Sequence, residues 1–359
     1  MTVPPGSTIG IVGGGQLGRM LAIAAAQLGY RCHIYAPEEA PPAAEVAAAF
    51  MRGDYGDEAA LERFGGQVDV ATYEFENIAA DPLTALTRQA PLYPPREALE
   101  IAQDRLMEKT FVLGHGGRPA EFAPVDSLAD LQSALKRLGT PAILKTRRFG
   151  YDGKGQVRIG AGREAARAWE QVRGAPCVLE AMVPFDAEFS ILLCRSPEGE
   201  VAVWDAPCNV HSGGILAHST VPAGKALRKA VGAGEALARR IAEALGYVGV
   251  LAIEFFAVGD GAVFNEMAPR VHNSGHWTIE GALSSQFENH IRAICGLPLG
   301  ATELVSTRVE MRNLIGDDVE GWRDILTDRA AHLHLYGKRE ARPGRKMGHV
   351  TRLIRGVTR

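Results

Sequence analysis

Two glutamates, a lysine and a glycine-rich loop carry the densest chemistry in this 359-residue chain. Glu254 interrupts the apolar run Val250-Leu251-Ala252-Ile253-Glu254-Phe255-Phe256, where a lone carboxylate meets a heavy desolvation penalty. If Gly259-Asp260-Gly261 is a three-residue hairpin loop, Val258 pairs with Ala262 and Glu254 falls opposite Glu266. Like charges facing each other across a ladder are destabilising. A divalent cation between them reverses the sign, and hard oxygen ligands suit Mg²⁺. Asn265, beside Glu266, offers another oxygen. The alternative is a register slipped by one residue, which turns Glu254 to solvent.

Lys145 ends the apolar strand Ala142–Lys145, and the loop Gly150-Tyr151-Asp152-Gly153-Lys154-Gly155-Gln156 follows it. Glycines let a backbone approach an oxyanion closely, and successive N–H groups make an anion nest. The loop is not a Walker loop, because GxxxxGK[ST] is absent; an ordinary hairpin turn is the plain alternative. The strand-ending lysine needs a partner, and a nucleotide phosphate is one. A second glycine loop, Gly13, Gly15 and Gly18 in GxGxxG spacing, lies between a strand and a helix. Three readings stay open for it: a dinucleotide, another small ligand, or glycines that only permit tight packing. The dinucleotide reading lacks its usual acid, since the second strand closes with Tyr35-Ala36-Pro37 and Glu38 comes after the proline.

Among the ten histidines none forms HExxH. His332 and His334 alternate on one strand face and read as structural. His211, in Asn209-Val210-His211-Ser212-Gly213-Gly214, and His272, in Pro269-Arg270-Val271-His272-Asn273-Ser274-Gly275-His276, sit in polar segments fit to line a site. Lys338, Arg339, Arg342, Arg345, Lys346 and Arg352 make a basic tail. It is either a solvated face or, with Pro343-Gly344 holding Arg345-Lys346 in a turn, a seat for a substrate phosphate.

The elements that must position these groups follow from periodicity. Strands are predicted over Thr8–Val12, Arg31–Tyr35 and Val68–Tyr73, with a helix over Gln16–Gly29, so the chain opens as a parallel α/β unit. Further helices are predicted over Glu97–Leu113, Val231–Leu245 and Gly281–Cys295. Further strands are predicted over Cys177–Glu180 and Phe189–Cys194, with a hairpin over Val250–Val258 and Ala262–Met267. The segment Ala40–Phe50 is Ala/Pro-rich and unassigned. A net charge of −3 gives no global pull toward nucleic acid or membrane. Five scattered cysteines, never in CxxC spacing, fit a reducing cytosol. No stretch approaches the ~20 apolar residues of a membrane span, and the first residues do not read as a signal peptide.

Taken together these motifs resemble the ATP-grasp superfamily, and within it the 5-(carboxyamino)imidazole ribonucleotide synthetase family. Gly13–Met20, Gly150–Gln156, Asn265–His276 and Arg342–His349 carry the resemblance, and Ala268-Pro269-Arg270-Val271-His272-Asn273-Ser274-Gly275-His276-Trp277 is its most specific run. The resemblance implies mixed α/β and α+β architecture: a Rossmann-like pre-ATP-grasp domain over 1–104, a lid over 105–182, a larger ATP-binding part over 183–304, and a C-terminal extension over 305–359. It implies ATP contacts from Arg105, Lys145, Gly150, Tyr151, Asp152, Gly153, Lys154, Gly155, Gln156, Glu180, Ala181, Met182, Val183, Glu188, His211, Asn265 and Glu266. It implies Mg²⁺ on Glu254 and Glu266. Contacts to an aminoimidazole ribonucleotide are implied for Gln16, Leu17, Glu76, His272, Asn273, Ser274, Lys338, Arg345 and Lys346. Lys145, Tyr151, Asp152 and Arg270 are the implied catalytic groups, with Arg270 placed for bicarbonate or its acyl phosphate. A cytoplasmic homodimer with no nucleic-acid or membrane partner completes the expectation. The competing readings are a formate-using ATP-grasp ligase such as glycinamide ribonucleotide transformylase, a Rossmann dehydrogenase, and a catalytically dead nucleotide-binding regulator.

Overall fold

The computed structural model describes residues 2–148, 150 and 155–354. The opening is the expected parallel sheet. β1 (Thr8–Val12), β2 (Arg31–Ala36), β3 (Ala49–Arg52) and β4 (Val70–Tyr73) run parallel in the order β3-β2-β1-β4. Ile9, Ile11, Val12, Val70, Ala71 and Tyr73 are all buried, as befits strands covered on both faces. β3 begins in the unassigned segment Ala40–Phe50 and runs two residues past it. It is an edge strand with no fully buried residue, so it lacks the apolar run that marks a central strand.

The helix expected over 97–113 is two helices, Arg96–Gln103 and Arg105–Gly114. Asp104 breaks it. Its backbone is extended, and its carboxylate accepts from the amides of Leu106 and Met107 at 3.0 and 3.3 Å, the capping bonds with which a short acid competes against a continuous helix. The helix expected over 281–295 begins instead at Gln286, where Ser285 caps it by accepting from Glu288 N at 3.1 Å. Thr278–Gly281 is a separate turn of helix.

A second sheet holds β5 (Phe122–Val125), β6 (Ala142–Thr146), β7 (Gln156–Ile159) and β8 (Cys177–Ala181), antiparallel in the order β5-β8-β6-β7. The third sheet is the largest. It contains β9 (Ala187–Arg195), β10 (Val201–Val203), β11 (Cys208–Ser212), β12 (Ile215–Val221), β13 (Gly249–Val258), β14 (Gly261–Ala268), β15 (Arg308–Ile315), β16 (Ala331–Leu335) and β17 (Lys346–Ile354). The order is β14-β13-β9-β11-β12-β15-β17-β16, with β10 pairing on β9. Of the basic tail, Lys346 and Arg352 are therefore part of the main sheet, through β15–β17 and β12–β15 pairing.

One apolar cluster joins the parallel unit to the large sheet, bringing Ile9 and Leu21 together with Leu192, Val250, Phe287 and Ile291. His290 stitches the same seam. Its Nδ1 accepts from Val250 N at 3.1 Å, so its proton sits on Nε2, which faces Thr72 Oγ1 at 2.8 Å. Burial pushes its pKa down to about 3, so the ring stays neutral.

Candidate active site

β13 and β14 place Glu254 directly opposite Glu266. The pairing is the expected one, but the route to it differs. Val258 pairs with Gly261, so the turn holds two residues, and that register alone sets Glu254 opposite Asn265. A β-bulge between Glu254 and Phe255 restores the pair and frees Asn265 from the ladder. Burial, and then the charge of Glu266, push the Glu254 carboxyl up to about 7. Arg105 Nη1 reaches Glu266 Oε2 at 3.2 Å. His272 Nε2 stands 3.7 Å from Glu254 Oε1, and His211 Nδ1 stands 2.6 Å from Glu188 Oε2. Burial opposes protonation of His211, but Glu188 and Glu254 together raise its pKa above the ordinary histidine value.

Lys145 has a partner inside the protein. Its Nζ lies 2.9 Å from Glu180 Oε2, and Lys109 Nζ lies 3.2 Å from Glu180 Oε1. Burial alone would disfavour the Glu180 charge, but Lys145, Lys109 and Arg105 hold its carboxyl down to about 2. Lys109 was missed from sequence, as was Glu108. Glu108 accepts from Met267 N at 2.7 Å, and burial pushes it up to about 8. With Arg105 and Val112 they occupy one i, i+3, i+4, i+7 stripe. That stripe was the available signal, and Glu108, Lys109 and Val112 are the helix's buried residues. Lys109 Nζ also donates to Asn265 O at 3.3 Å, and Arg105 Nη2 donates to Gly150 O at 3.5 Å. Asp104, the capping acid, also takes Arg147 Nη2 at 2.9 Å and Arg148 Nε at 3.3 Å. The break between the two helices is thereby tied to the loop that follows Lys145.

The first glycine loop is already filled. Glu74, from the end of β4, accepts from Gly15 N at 3.0 Å and Gly18 N at 3.2 Å. A carboxylate at the helix N-terminus takes the place of a cofactor phosphate. Gly14 admits no side chain either, since a Cβ there would lie 2.4 Å from Pro41 Cβ. These contacts argue against the dinucleotide reading. Two residues on, Glu76 pairs with Arg270 Nε, and that contact joins the parallel unit to the segment after β14. The Arg270 charge outweighs burial and lowers the Glu76 pKa.

The segment Arg270–Gly275 is held from behind. Arg270 Nη1 donates to Val271 O at 2.9 Å, and His272 Nδ1 meets Ser274 Oγ at 2.9 Å. Burial, then the nearby Arg270 charge, keep His272 well below its ordinary pKa. Asn273 is only 8% exposed, yet neither end of its amide has a hydrogen-bond partner among the described residues. A buried amide left so is rare in a folded protein. Gln16 and Leu17 open the helix Gln16–Gln27, and Leu17 is buried in the core.

In the tail, Arg345 N donates to Arg342 O at 2.9 Å around Pro343-Gly344, with Gly344 at φ +78°. The predicted turn is present. It treats its two basic residues differently. Arg345 Nη1 is bonded to Glu340 O at 3.0 Å. Lys346 opens β17 close enough to Glu76, Glu254 and His272 to influence the titration of all three. Lys338 Nζ donates to Lys346 O at 2.7 Å. Ala181 ends β8, Met182 N donates to Pro141 O at 3.2 Å, and Val183 follows. Gly150, Gly155 and Gln156 flank the second loop, whereas Tyr151, Asp152, Gly153 and Lys154 lie outside the described residues.

An antiparallel sheet ending in Lys145 and Glu180, facing a larger sheet that carries paired acids, is the arrangement of an ATP-grasp enzyme. The chain matches the ATP-grasp domain over residues 111–287, the ribonucleotide synthetase preATP-grasp domain over 6–103, and the phosphoribosylaminoimidazole carboxylase C-terminal domain over 310–356. It is 50% identical to the N5-carboxyaminoimidazole ribonucleotide synthase of Brucella melitensis across 98% of both chains. Among solved structures, the N5-carboxyaminoimidazole ribonucleotide synthetase of Thermus thermophilus superposes with a TM-score of 0.90 at 49% identity, covering 97% of this chain and 94% of that one. An Aspergillus clavatus enzyme in complex with ADP and 5-aminoimidazole ribonucleotide gives 0.91 at 28% identity, covering 97% and 94%. The chain belongs to the N5-carboxyaminoimidazole ribonucleotide synthase family of ATP-grasp ligases.

Proposed function

We propose that this enzyme carboxylates the exocyclic amine of 5-aminoimidazole ribonucleotide with bicarbonate, at the expense of ATP, in purine biosynthesis. The supporting observation is the contact of Glu76 with Arg270. It sets the end of the parallel sheet against the segment that follows the Glu254/Glu266 ladder, so a ribonucleotide and a nucleoside triphosphate can meet at one place. In this reading a bicarbonate oxygen attacks the γ-phosphorus and the bond to ADP breaks, leaving carboxyphosphate. The amine nitrogen then forms a bond to the carboxyl carbon, directly or by way of released CO₂. Phosphate departs and the nitrogen loses a proton.

The residues divide this work. Arg105, Lys145, Gly150–Gln156, Glu180–Val183, Glu188, His211, Asn265 and Glu266 form the ATP side. Lys145 trades its Glu180 contact for a phosphate, spreading the transferring charge. Glu254 and Glu266 would hold Mg²⁺; two carboxylates that repel each other across a ladder fit a divalent cation, which when bound neutralises phosphate charge. Arg270 neutralises the bicarbonate-derived anion. Gln16, Leu17, Glu76, His272, Asn273, Ser274, Lys338, Arg345 and Lys346 form the ribonucleotide side, with the unpartnered Asn273 amide supporting that assignment. The ATP-grasp lid spans residues 105–182, the main part 183–304 and the extension 305–359. Five free cysteines, four of them buried, suit a reducing cytoplasm, and no helix among the described residues is long and apolar enough to cross a membrane. The working form is a homodimer.

ADP release measured with ribonucleotide, bicarbonate and formate omitted in turn tests the reaction. Dependence on bicarbonate and the aminoimidazole substrate is expected; turnover driven by formate would transfer the chain to the transformylase reading. The tail supplies a second test. Lys346→Ala should raise the KM for the ribonucleotide about tenfold or more, the scale of one charge-assisted phosphate contact, and leave the ATP KM nearly unchanged. Arg345→Ala should have a smaller effect, because its guanidinium is committed to Glu340 O. If both variants behave like the parent, the tail is a solvated face.

A further inference from the structure

Gln286 is completely buried at the start of the helix Gln286–Ile294, and its side chain is spent on the loop Arg270–Gly275. Its Oε1 accepts from His272 N at 2.9 Å, and its Nε2 donates to His272 O at 2.6 Å. One amide thus closes on both sides of a single backbone position. Nε2 also faces His276 Nδ1 at 3.3 Å. Thr278 completes the support: its hydroxyl donates to Gly275 O at 2.6 Å and accepts from Gln286 N at 3.0 Å. The fit leaves no slack, since a Cβ on Gly275 would lie 2.2 Å from Leu192 Cδ2 and 2.7 Å from Gln286 Oε1. Directly after the clamped residue stands Asn273, whose buried amide has no partner among the described residues. A buried hydrogen-bonding group left open is productive only if its backbone is held so that it cannot turn aside and satisfy itself locally. Helix initiation does not require this glutamine, because Ser285 caps the helix.

We propose that Gln286 is a positioning residue for the ribonucleotide: it acts through His272 to hold the Asn273 amide open toward that substrate. The inference rests on the reading of Asn273 as a ribonucleotide contact. It goes beyond that reading by giving a role in ribonucleotide binding to a residue placed behind the loop that would make the contact.

The experiment compares Gln286→Met, which keeps the length of the side chain and removes every bond, with Asn273→Ala. The KM for 5-aminoimidazole ribonucleotide, the KM for ATP and the melting temperature are measured for each. Gln286→Met should raise the ribonucleotide KM about tenfold, the effect of unpairing buried backbone groups, with the ATP KM within about twofold of the parent. If Gln286→Met does not fold, Gln286→Asn, which retracts the same amide by one methylene, takes its place with the same expectation. A lowered melting temperature with both KM values unchanged, or raised equally, makes Gln286 a purely structural residue and overturns the proposal. If Asn273→Ala raises the ribonucleotide KM and Gln286→Met does not, the Asn273 reading survives and the proposal fails. If Asn273→Ala leaves that KM unchanged, the reading itself fails and takes the proposal with it.

Discussion

Glu266→Gln abolishes ATP turnover, to a loss of about a hundredfold or more, and leaves the fold intact. The magnitude is that of losing one preorganised charge-stabilising group from a site. The substitution removes a unit of charge with almost no change in volume. Glu266 faces Glu254 across the ladder and holds Arg105 at 3.2 Å, so in the proposed function its charge acts on both the cation and the guanidinium that meet the nucleotide. Stability moves the other way. Burial and the Glu266 charge hold the Glu254 carboxyl at about 7, and like charges opposed on a ladder are unfavourable. Removing one of them keeps the melting temperature level or raises it. Steady-state ADP production at saturating Mg²⁺, with a thermal melt on the same sample, makes the measurement. Near-normal turnover would remove Glu266 from the chemistry.

Lys109→Met carries the largest expected loss of stability. Lys109 has no solvent exposure and shares Glu180 with Lys145. Breaking a buried ion pair from one side costs ~3–5 kcal/mol, and because Lys145 stays on Glu180 the lower end, about 3 kcal/mol, is expected. The pH dependence has a definite sign. In the folded protein the Glu180 carboxyl is depressed from 4.5 to about 2, so its contribution is fully present above pH 4.5 and is lost as the pH falls toward 2. With one ammonium gone that depression shrinks, and the deficit against the parent is widest above pH 4.5 and narrows in acid. Denaturant midpoints at neutral and acid pH read this directly. An unchanged midpoint at neutral pH would show that Lys145 alone suffices for Glu180.

The three chain segments that end in turns were legible because periodicity and punctuation agree there. The strand–helix–strand opening, the hairpin strands and the Pro343-Gly344 turn follow from apolar spacing and from residues whose backbone preferences are strong. The two misread helices failed at Asp104 and Ser285, where a short polar side chain captures backbone amides and starts a new helix inside an apolar pattern that continues across the break. The Glu254/Glu266 pair was found through a miscounted turn. The bulge that compensates has no signature in the sequence, because an extra residue in a ladder changes register and leaves composition alone.

The sequence by itself determined the inventory of reactive groups and the family to which their motifs belong. Motifs are local, and the chemistry they need is written in residue types at short spacing. Only the tertiary structure decided which partner each charge takes. Glu74 rather than a cofactor phosphate occupies the first glycine loop, Lys145 rests on Glu180 with Lys109, and Arg345 and Lys346 part company within one turn. The pairings of Glu74 and Glu180 join residues 35 to 71 positions apart on different elements, and the Glu76–Arg270 contact spans 194. The energy of a charge depends on burial and on neighbours within a few ångströms, and neither quantity exists until the sheets have packed.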